Sequence, residues 1–343
     1  MSRKLRVATV GAGYFSQFHY DAWSRIGEVE LVAICDRAQE PAQAIAKAHA
    51  IAQVFSDFAE MLDAVSPDLV DIITPPDTHP GFVRAAAARG IDMICQKPFC
   101  GSIGKAQDAT RLAAEGSAML AVHENFRFQP WYRMIKTFLA AGRLGDVYGV
   151  QFRLRPGDGQ GDDAYLARQP YFQDMQRFLL HETGVHHFDV FRFLLGEPET
   201  VYADLRRLNP VIAGEDAGHV ILAFPGGARA LYDGNRLADH AAENRRLTMG
   251  EMLIEGSNAI LRLDGDGHLF LRNHGRNTEE PVDYAWSGRG FGGDCVHAFQ
   301  RHIVDHLLAG APLETAAADY LTNLAIVEAA YRSDETGCAV QLA

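Results

Sequence analysis

The chain has 343 residues, of which 48% are hydrophobic and 22% charged, and carries a formal net charge of −12. That length exceeds what one core usually holds and suits two domains. The acidic balance argues against a nucleic-acid surface and an anionic membrane surface, and no apolar stretch approaches bilayer-spanning length.

The N-terminal MSRKLRVATVGAG reaches a glycine turn after one short apolar run, so it reads as a first strand and not as a secretory leader. Residues 5–122 then alternate strand-like and helix-like segments. LRVATV, VELVAIC, PDLVDIIT, IDMIC and AMLAVHEN read as strands. GAGYFSQFHYDAWSRI, AQEPAQAIAKAHA, DFAEMLDAV, THPGFVRAAAARG and IGKAQDATRLAAEGS read as the intervening helices, with Asp57 placed to cap the third and Gly90 to stop the fourth. Continuous apolar strands separated by helices predict an α/β domain over residues 1–123, a doubly wound parallel sheet covered on both faces.

From residue 124 to 343 the texture changes. PWYRMIKTFLAAGRLG and GVHHFDVFRFLLG read as helices. Strand-like runs from VYGVQFRLR to HLFLRN are punctuated by turn glycines, and two helices follow over 293–309 and 315–332. This predicts an α+β domain with a large, mainly antiparallel sheet. The glycine-rich RPGDGQGDDAYLARQPYF is its one long interruption, and long loops in compact domains tend to carry function. Cys35, Cys95, Cys100, Cys295 and Cys338 are odd in number and form no C-x-x-C pair. They read as reduced thiols, which points to a reducing, cytoplasmic compartment.

Several stretches carry chemistry. In VATVGAGYFSQFH, Gly11 permits a tight turn after a strand, and Gly13 lets the backbone approach a pyrophosphate at a helix N-terminus. Tyr14 and Phe15 belong to the same turn, and Ser16 replaces the third glycine of G-x-G-x-x-G, adding a hydroxyl donor. Asp36 ends the second strand in LVAICDR, where an acid hydrogen-bonds the adenosine ribose and repels a 2′-phosphate. That favours NAD, while Arg37 is compatible with NADP. In IITPPDTH, Thr74, Pro75 and Pro76 form a rigid edge at a strand's carboxyl end, where open α/β sheets bind ligands. His79 is either a cofactor contact or simply the first turn of the next helix. In ICQKPF, Lys97 follows the next strand, as a surface-turn residue or as a proton-handling group. HETGVHH crowds His181, Glu182, His186 and His187 together, but they do not converge as ligands, so no metal site is expected.

Taken together, VGAGYFSQFH, ITPPDTHPGFVRAAAARGIDMICQKPF, ENFRFQPWY and HETGVHHFDVFRFLLGEP resemble the Gfo/Idh/MocA family of NAD(P)-dependent sugar and inositol oxidoreductases. The likeness spans nearly the whole chain. It implies a Rossmann domain followed by an α+β domain whose open sheet often serves oligomer contacts, hence a homodimer or homotetramer. It implies catalytic roles for Lys97, His186 and Glu182, with Gln96 beside Lys97 at the cofactor. Two positions depart from the family pattern: Gln96 stands where a glutamate is usual, and Glu182 where an aspartate is usual.

Oxidising an alcohol sends a hydride from carbon to the nicotinamide while a proton leaves oxygen, so the protein must supply an oriented base. Lys97 and His186 both suit that step, and Glu182, four residues before His186 on a helix, would share its face. Asn125, Arg127, Arg155, Arg168, Arg177 and His187 are candidate substrate contacts, the arginines for a carboxylate on a polyhydroxylated substrate. Asp189 would orient His186 or cap a local contact. The leading expectation is an NAD(P)-dependent dehydrogenase of a sugar, sugar derivative or cyclitol, with no nucleic-acid or membrane partner. An NAD-retaining glycosidase or lyase using transient sugar oxidation, and a non-catalytic sensor, are the alternatives.

Overall fold

The protein's structure, a computed structural model, describes residues 3–342. It divides into two compact units, Met1–Asn125 with Val296–Thr322, and Phe126–Cys295 with Asn323–Ala343.

In the first unit the strands are β1 (Leu5–Val10), β2 (Val29–Cys35), β3 (Gln53–Phe55), β4 (Leu69–Ile72), β5 (Asp92–Cys95) and β6 (Leu120–Val122). The helices between them are α1 (Ser16–Ser24), α2 (Gln39–Ala48), α3 (Phe58–Val65), α4 (His79–Ala87) and α5 (Ile103–Glu115). The strands lie parallel in the order β3-β2-β1-β4-β5-β6. Every residue of β4 is buried, as its unbroken apolar run requires when helices cover both faces. Asp57 caps α3, its Oδ1 accepting from Glu60 N at 2.8 Å. Gly90 takes the left-handed conformation just beyond α4, at φ +64°. β3 is the strand that the sequence did not announce, because three residues are too few to show a period.

The second unit begins with α6 (Pro130–Ala140), β7 (Val147–Leu154) and α7 (Val185–Leu195), the last preceded by a π-helical turn over Leu179–Gly184. Then come β8 (Thr200–Arg206), β9 (Ala217–Ala223), β10 (Arg229–Asn235), β11 (Gly250–Gly256), β12 (Ala259–Leu263), β13 (Leu269–Asn273) and β14 (Glu280–Val282). After α8 (Cys295–Ala309) and α9 (Ala317–Thr336) the short β15 (Val340–Gln341) completes a sheet ordered β14-β13-β12-β11-β7-β10-β9-β8-β15. The sheet is mixed: β7 pairs parallel with β10 and antiparallel with β11. The 45 residues between β7 and β8 (155–199) free β7 from hairpin pairing, and it becomes a central strand. Alternation is clear on its buried face, where Phe152 of β7 lies opposite Tyr232 of β10 and Met252 of β11.

The first unit ends at Asn125, and residues 296–322 return to it from the far end of the chain. Backbone and side chains explain their return. Val122 N donates to Thr315 O at 2.9 Å, and Ala121 bridges Ala316, so the returning chain covers the edge left open by β6. Phe299 of α8 packs its ring 4.3 Å from that of His123. Among the described residues no helix is long and apolar enough to cross a membrane.

Candidate cofactor and active site

The glycine-rich turn after β1 is built around one position that admits no side chain. Gly11 sits at φ +119°, and a Cβ there would lie 2.3 Å from Ile73 O. Gly13 faces open space, with nothing within 4 Å of a Cβ built on it. That is the arrangement a pyrophosphate needs to reach backbone amides. Asp36, at the carboxyl end of β2, braces this turn by accepting from Ala12 N at 2.7 Å and Ala38 N at 2.8 Å. Arg37 next to it is exposed, as is Tyr14, while Phe15 is half-buried. The donor role expected of Ser16 is not what its hydroxyl performs: Ser16 Oγ donates to Gly13 O at 2.7 Å, closing the turn from inside. These residues fit a dinucleotide, which would bring the hydride acceptor.

At the ends of β4 and β5 the expected cofactor-side residues line up in sequence, Thr74 and Pro76 half-buried and Pro75 exposed. His79 takes the structural alternative. Its Nε2 donates to Thr74 O at 2.7 Å, its Nδ1 accepts from Cys100 N at 3.4 Å, and burial pushes its pKa down to about 4. Lys97 is half-buried just beyond β5, its amide donating to Gln96 Oε1 at 2.7 Å, and the Lys97–Pro98 peptide is cis. Asn125 is 2% exposed and its Nδ2 has no hydrogen-bond partner among the described residues.

In the second unit, the π turn carries Glu182 into α7, whose first turn holds His186. The turn is anchored from outside. Glu215 Oε1 accepts from Phe178 N and Leu180 N, each at 3.1 Å, and from Tyr331 Oη at 2.5 Å. The Glu182 carboxylate accepts from the Thr183 hydroxyl and lies 3.5 Å from Arg236 Nη1. His186 stacks face to face on Phe126, centroids 3.9 Å apart and planes 4° from parallel, which fixes its ring.

His187 points the other way, into the core. It stacks on Phe152 at 3.9 Å, and burial, aided by the neighbouring His186, pushes its pKa down to about 3. A substrate-contacting role for it does not fit a fully buried ring. Arg127 makes a two-pronged pair with Asp189, Nη2 to Oδ1 at 2.6 Å and Nε to Oδ2 at 2.7 Å, and Asn323 Nδ2 donates to the same Oδ1 at 2.7 Å. Asp189 therefore serves a clamp within the second unit. The other arginines are also engaged by acids of their own fold: Arg155 by Asp233 at 2.6 Å, Arg168 by Asp158 at 3.3 Å, Arg177 by Glu328 at 2.7 Å.

Sequence reasoning missed Arg236, 1% exposed at the end of β10. Its Nε donates to Tyr165 Oη at 2.8 Å, its Nη2 to Asp158 Oδ2 at 2.9 Å and its Nη1 to Thr183 Oγ1 at 2.7 Å. The signal was present: Ala230, Tyr232, Gly234 and Arg236 share the inward parity, so a charge stood on the buried side of the pattern. Among the described residues no group of three or more His, Cys, Asp or Glu side chains could hold a metal ion.

The two buried neutral histidines set an acid limit on stability. In the unfolded chain each titrates near 6.5, whereas the folded values are about 4 for His79 and about 3 for His187. Below pH 6.5 the unfolded state therefore binds the extra proton, and stability present above that pH falls by about 1.4 kcal/mol per pH unit for each ring. Melting temperatures taken on descending pH should fall through this window, and His187→Phe should flatten the slope for the second unit. An unchanged slope would show that His187 is not the group responsible.

Comparison with known proteins agrees with this geometry. Residues 5–124 match the oxidoreductase family with an NAD-binding Rossmann fold, and residues 132–261 match the GFO/IDH/MocA C-terminal domain. D-apiose dehydrogenase from Paraburkholderia graminis is 32% identical over 99% of this chain and 90% of its own length. D-apiose dehydrogenase from Rhizobium rhizogenes is 31% identical over 99% and 98%. An oxidoreductase from Agrobacterium radiobacter, solved in complex with NAD+, L-tartaric acid and magnesium, superposes with a TM-score of 0.88 at 31% identity, covering 98% of both chains. The chain belongs to the Gfo/Idh/MocA family of oxidoreductases, its first domain an NAD-binding Rossmann fold.

Proposed function

We propose that the protein is an NAD-dependent dehydrogenase acting on a CH–OH group of a small, uncharged sugar of the D-apiose type. The observation that carries this reading is the placement of Lys97. It is a half-buried amine just beyond the carboxyl end of β5, at the same end of the sheet as the Gly11–Gly13 turn. NAD bound on that turn would accept the hydride, and Lys97 and His186 would hydrogen-bond the reacting hydroxyl and handle its proton. Glu182 would act in support of His186. Asn125, whose buried Nδ2 finds no partner among the described residues, offers a donor to a substrate hydroxyl.

An uncharged substrate is favoured over a carboxylate because Arg155, Arg168 and Arg177 already answer Asp233, Asp158 and Glu328. NAD is favoured over NADP because Asp36 turns its carboxylate to the amides of the first turn and the second strand's end, where a 2′-phosphate would be repelled.

A panel of D-apiose, other aldoses, inositols and sugar acids, offered with each cofactor, tests this. NADH should accumulate one-for-one with oxidised D-apiose or a related neutral sugar, and with NADP the corresponding NADPH should form more slowly or not at all. Product without net NADH would instead indicate an internal redox cycle of the glycosidase or lyase kind. Tight NAD binding with no turnover across the panel would indicate a sensor, and turnover of sugar acids alone would overturn the uncharged-substrate assignment. The full-length likeness to two dehydrogenases favours neither alternative.

A further inference from the structure

A chain of buried polar groups runs through the first unit to the Lys97 amide. Asp71 of β4 and His19 of α1 are both 0% exposed, and Asp71 Oδ2 lies 2.8 Å from His19 Nδ1 and 2.8 Å from Trp23 Nε1. The other imidazole nitrogen, His19 Nε2, is 3.0 Å from Gln96 Nε2, and Gln96 Oε1 is 2.7 Å from Lys97 N.

The protons in this chain can be placed by elimination. A backbone N–H can only donate, so the Gln96 oxygen must face Lys97 and its NH2 must face His19. An amide NH2 can only donate, so His19 Nε2 carries a lone pair. The imidazole proton then sits on Nδ1 and points at Asp71, whose Oδ2 also accepts from the indole of Trp23. No other arrangement satisfies all four contacts. The ring is also held in place: it packs 4.1 Å from the ring of His123, and Gln300 Nε2 donates to His19 O at 3.3 Å.

We propose that Asp71, His19 and Gln96 form a positioning relay that holds the Lys97 amide, and that glutamine at 96 is what keeps His19 in its neutral, Nδ1-protonated form. The idea rests on the reading of Lys97 as a proton-handling group, and adds the device that fixes it. A glutamate at 96 would present one oxygen to Lys97 N and the other to the His19 Nε2 lone pair. That contact is repulsive unless His19 takes a second proton from solvent. The trio Asp71, His19 and residue 96 would then be carboxylate, imidazolium and carboxylate, with the same net charge of −1 as the present carboxylate, imidazole and amide. The substitution would thus shift charge toward Lys97 without changing the total.

The test uses full-length enzyme labelled with 15N-histidine and loaded with NAD+. In the wild type, the His19 ring should show a protonated Nδ1 and a bare Nε2. In Gln96→Glu both nitrogens should be protonated. Gln96→Leu should lower kcat for D-apiose, by up to about 100-fold for a displaced catalytic group, with KM and NAD+ affinity little changed. Gln96→Glu, which restores an acceptor for Lys97 N, should lose less than Gln96→Leu. An Nε2-protonated His19 in the wild type, a neutral His19 in Gln96→Glu, or full kcat in Gln96→Leu would each overturn the relay. The nitrogen spectra do not depend on turnover. Should Lys97 prove dispensable for catalysis, they would still decide whether the relay exists, and the two failures remain distinguishable.

Discussion

Replacing Lys97 with methionine should lower kcat by about 10²–10⁴-fold while NAD still binds and the chain still folds, the range expected when a positioned acid–base group is lost. Methionine keeps the length and most of the apolar stem of lysine but carries no proton, so the change isolates chemistry from packing. Lys97 is only half-buried, and its own backbone contact, N to Gln96 Oε1 at 2.7 Å, does not involve the side chain. Methionine leaves that backbone contact in place, and a thermal melt of the variant separates a stability loss from a catalytic one. His186→Asn should also depress kcat, because the stack on Phe126 holds a ring that asparagine cannot replace. Stopped-flow or steady-state NADH absorbance, run beside an NAD binding titration, separates loss of chemistry from loss of cofactor. Wild-type turnover in both variants would sink the proposed assignment.

The largest effect on stability is expected at Arg236. Arg236→Met takes a buried guanidinium away from Asp158 and Glu182, leaving Asp158 with Arg168, at a cost of about 3–5 kcal/mol, the range for losing one partner of a buried pair. The guanidinium also lies over the Phe178 ring, 4.6 Å from its centroid, and over Tyr165 at 5.2 Å, so packing is lost with the charge. For a unit of this size that corresponds to a fall in melting temperature of roughly 10 °C. The segment 155–178 should become sensitive to limited proteolysis, because Asp158 and Tyr165 are the contacts by which Arg236 holds it. Arg236→Lys should recover part of the loss: it keeps the charge but cannot donate along three directions in one plane. A variant that melts like the wild type and resists the protease would show that the loop is held by something else.

Much of the fold was legible because periodicity is a local property. The buried strands of the first unit announce themselves as apolar runs, and the capping of α3 by Asp57 followed from residue type and place alone. The cofactor turn was legible for the same reason, since Gly11 and Asp36 act through conformation and charge at fixed distances from strand ends. What stayed hidden depends on partners far away in the chain. Ser16 looked like a ligand donor, but its hydroxyl closes on the Gly13 carbonyl. His79, His187 and the arginines looked available because their partners Thr74, Phe152, Asp233, Asp158 and Glu328 are assigned only by the fold.

The return of residues 296–322 to the first unit also bears on how the chain is made. During synthesis the six parallel strands can pair as soon as residue 122 emerges, yet the backbone partner of Val122 is Thr315, nearly two hundred residues later. Until that segment arrives, the β6 edge stands open as a template for any passing strand. A ribosome that terminates before residue 315 would therefore release an apparently finished nucleotide-binding domain with one raw edge, a species prone to aggregate.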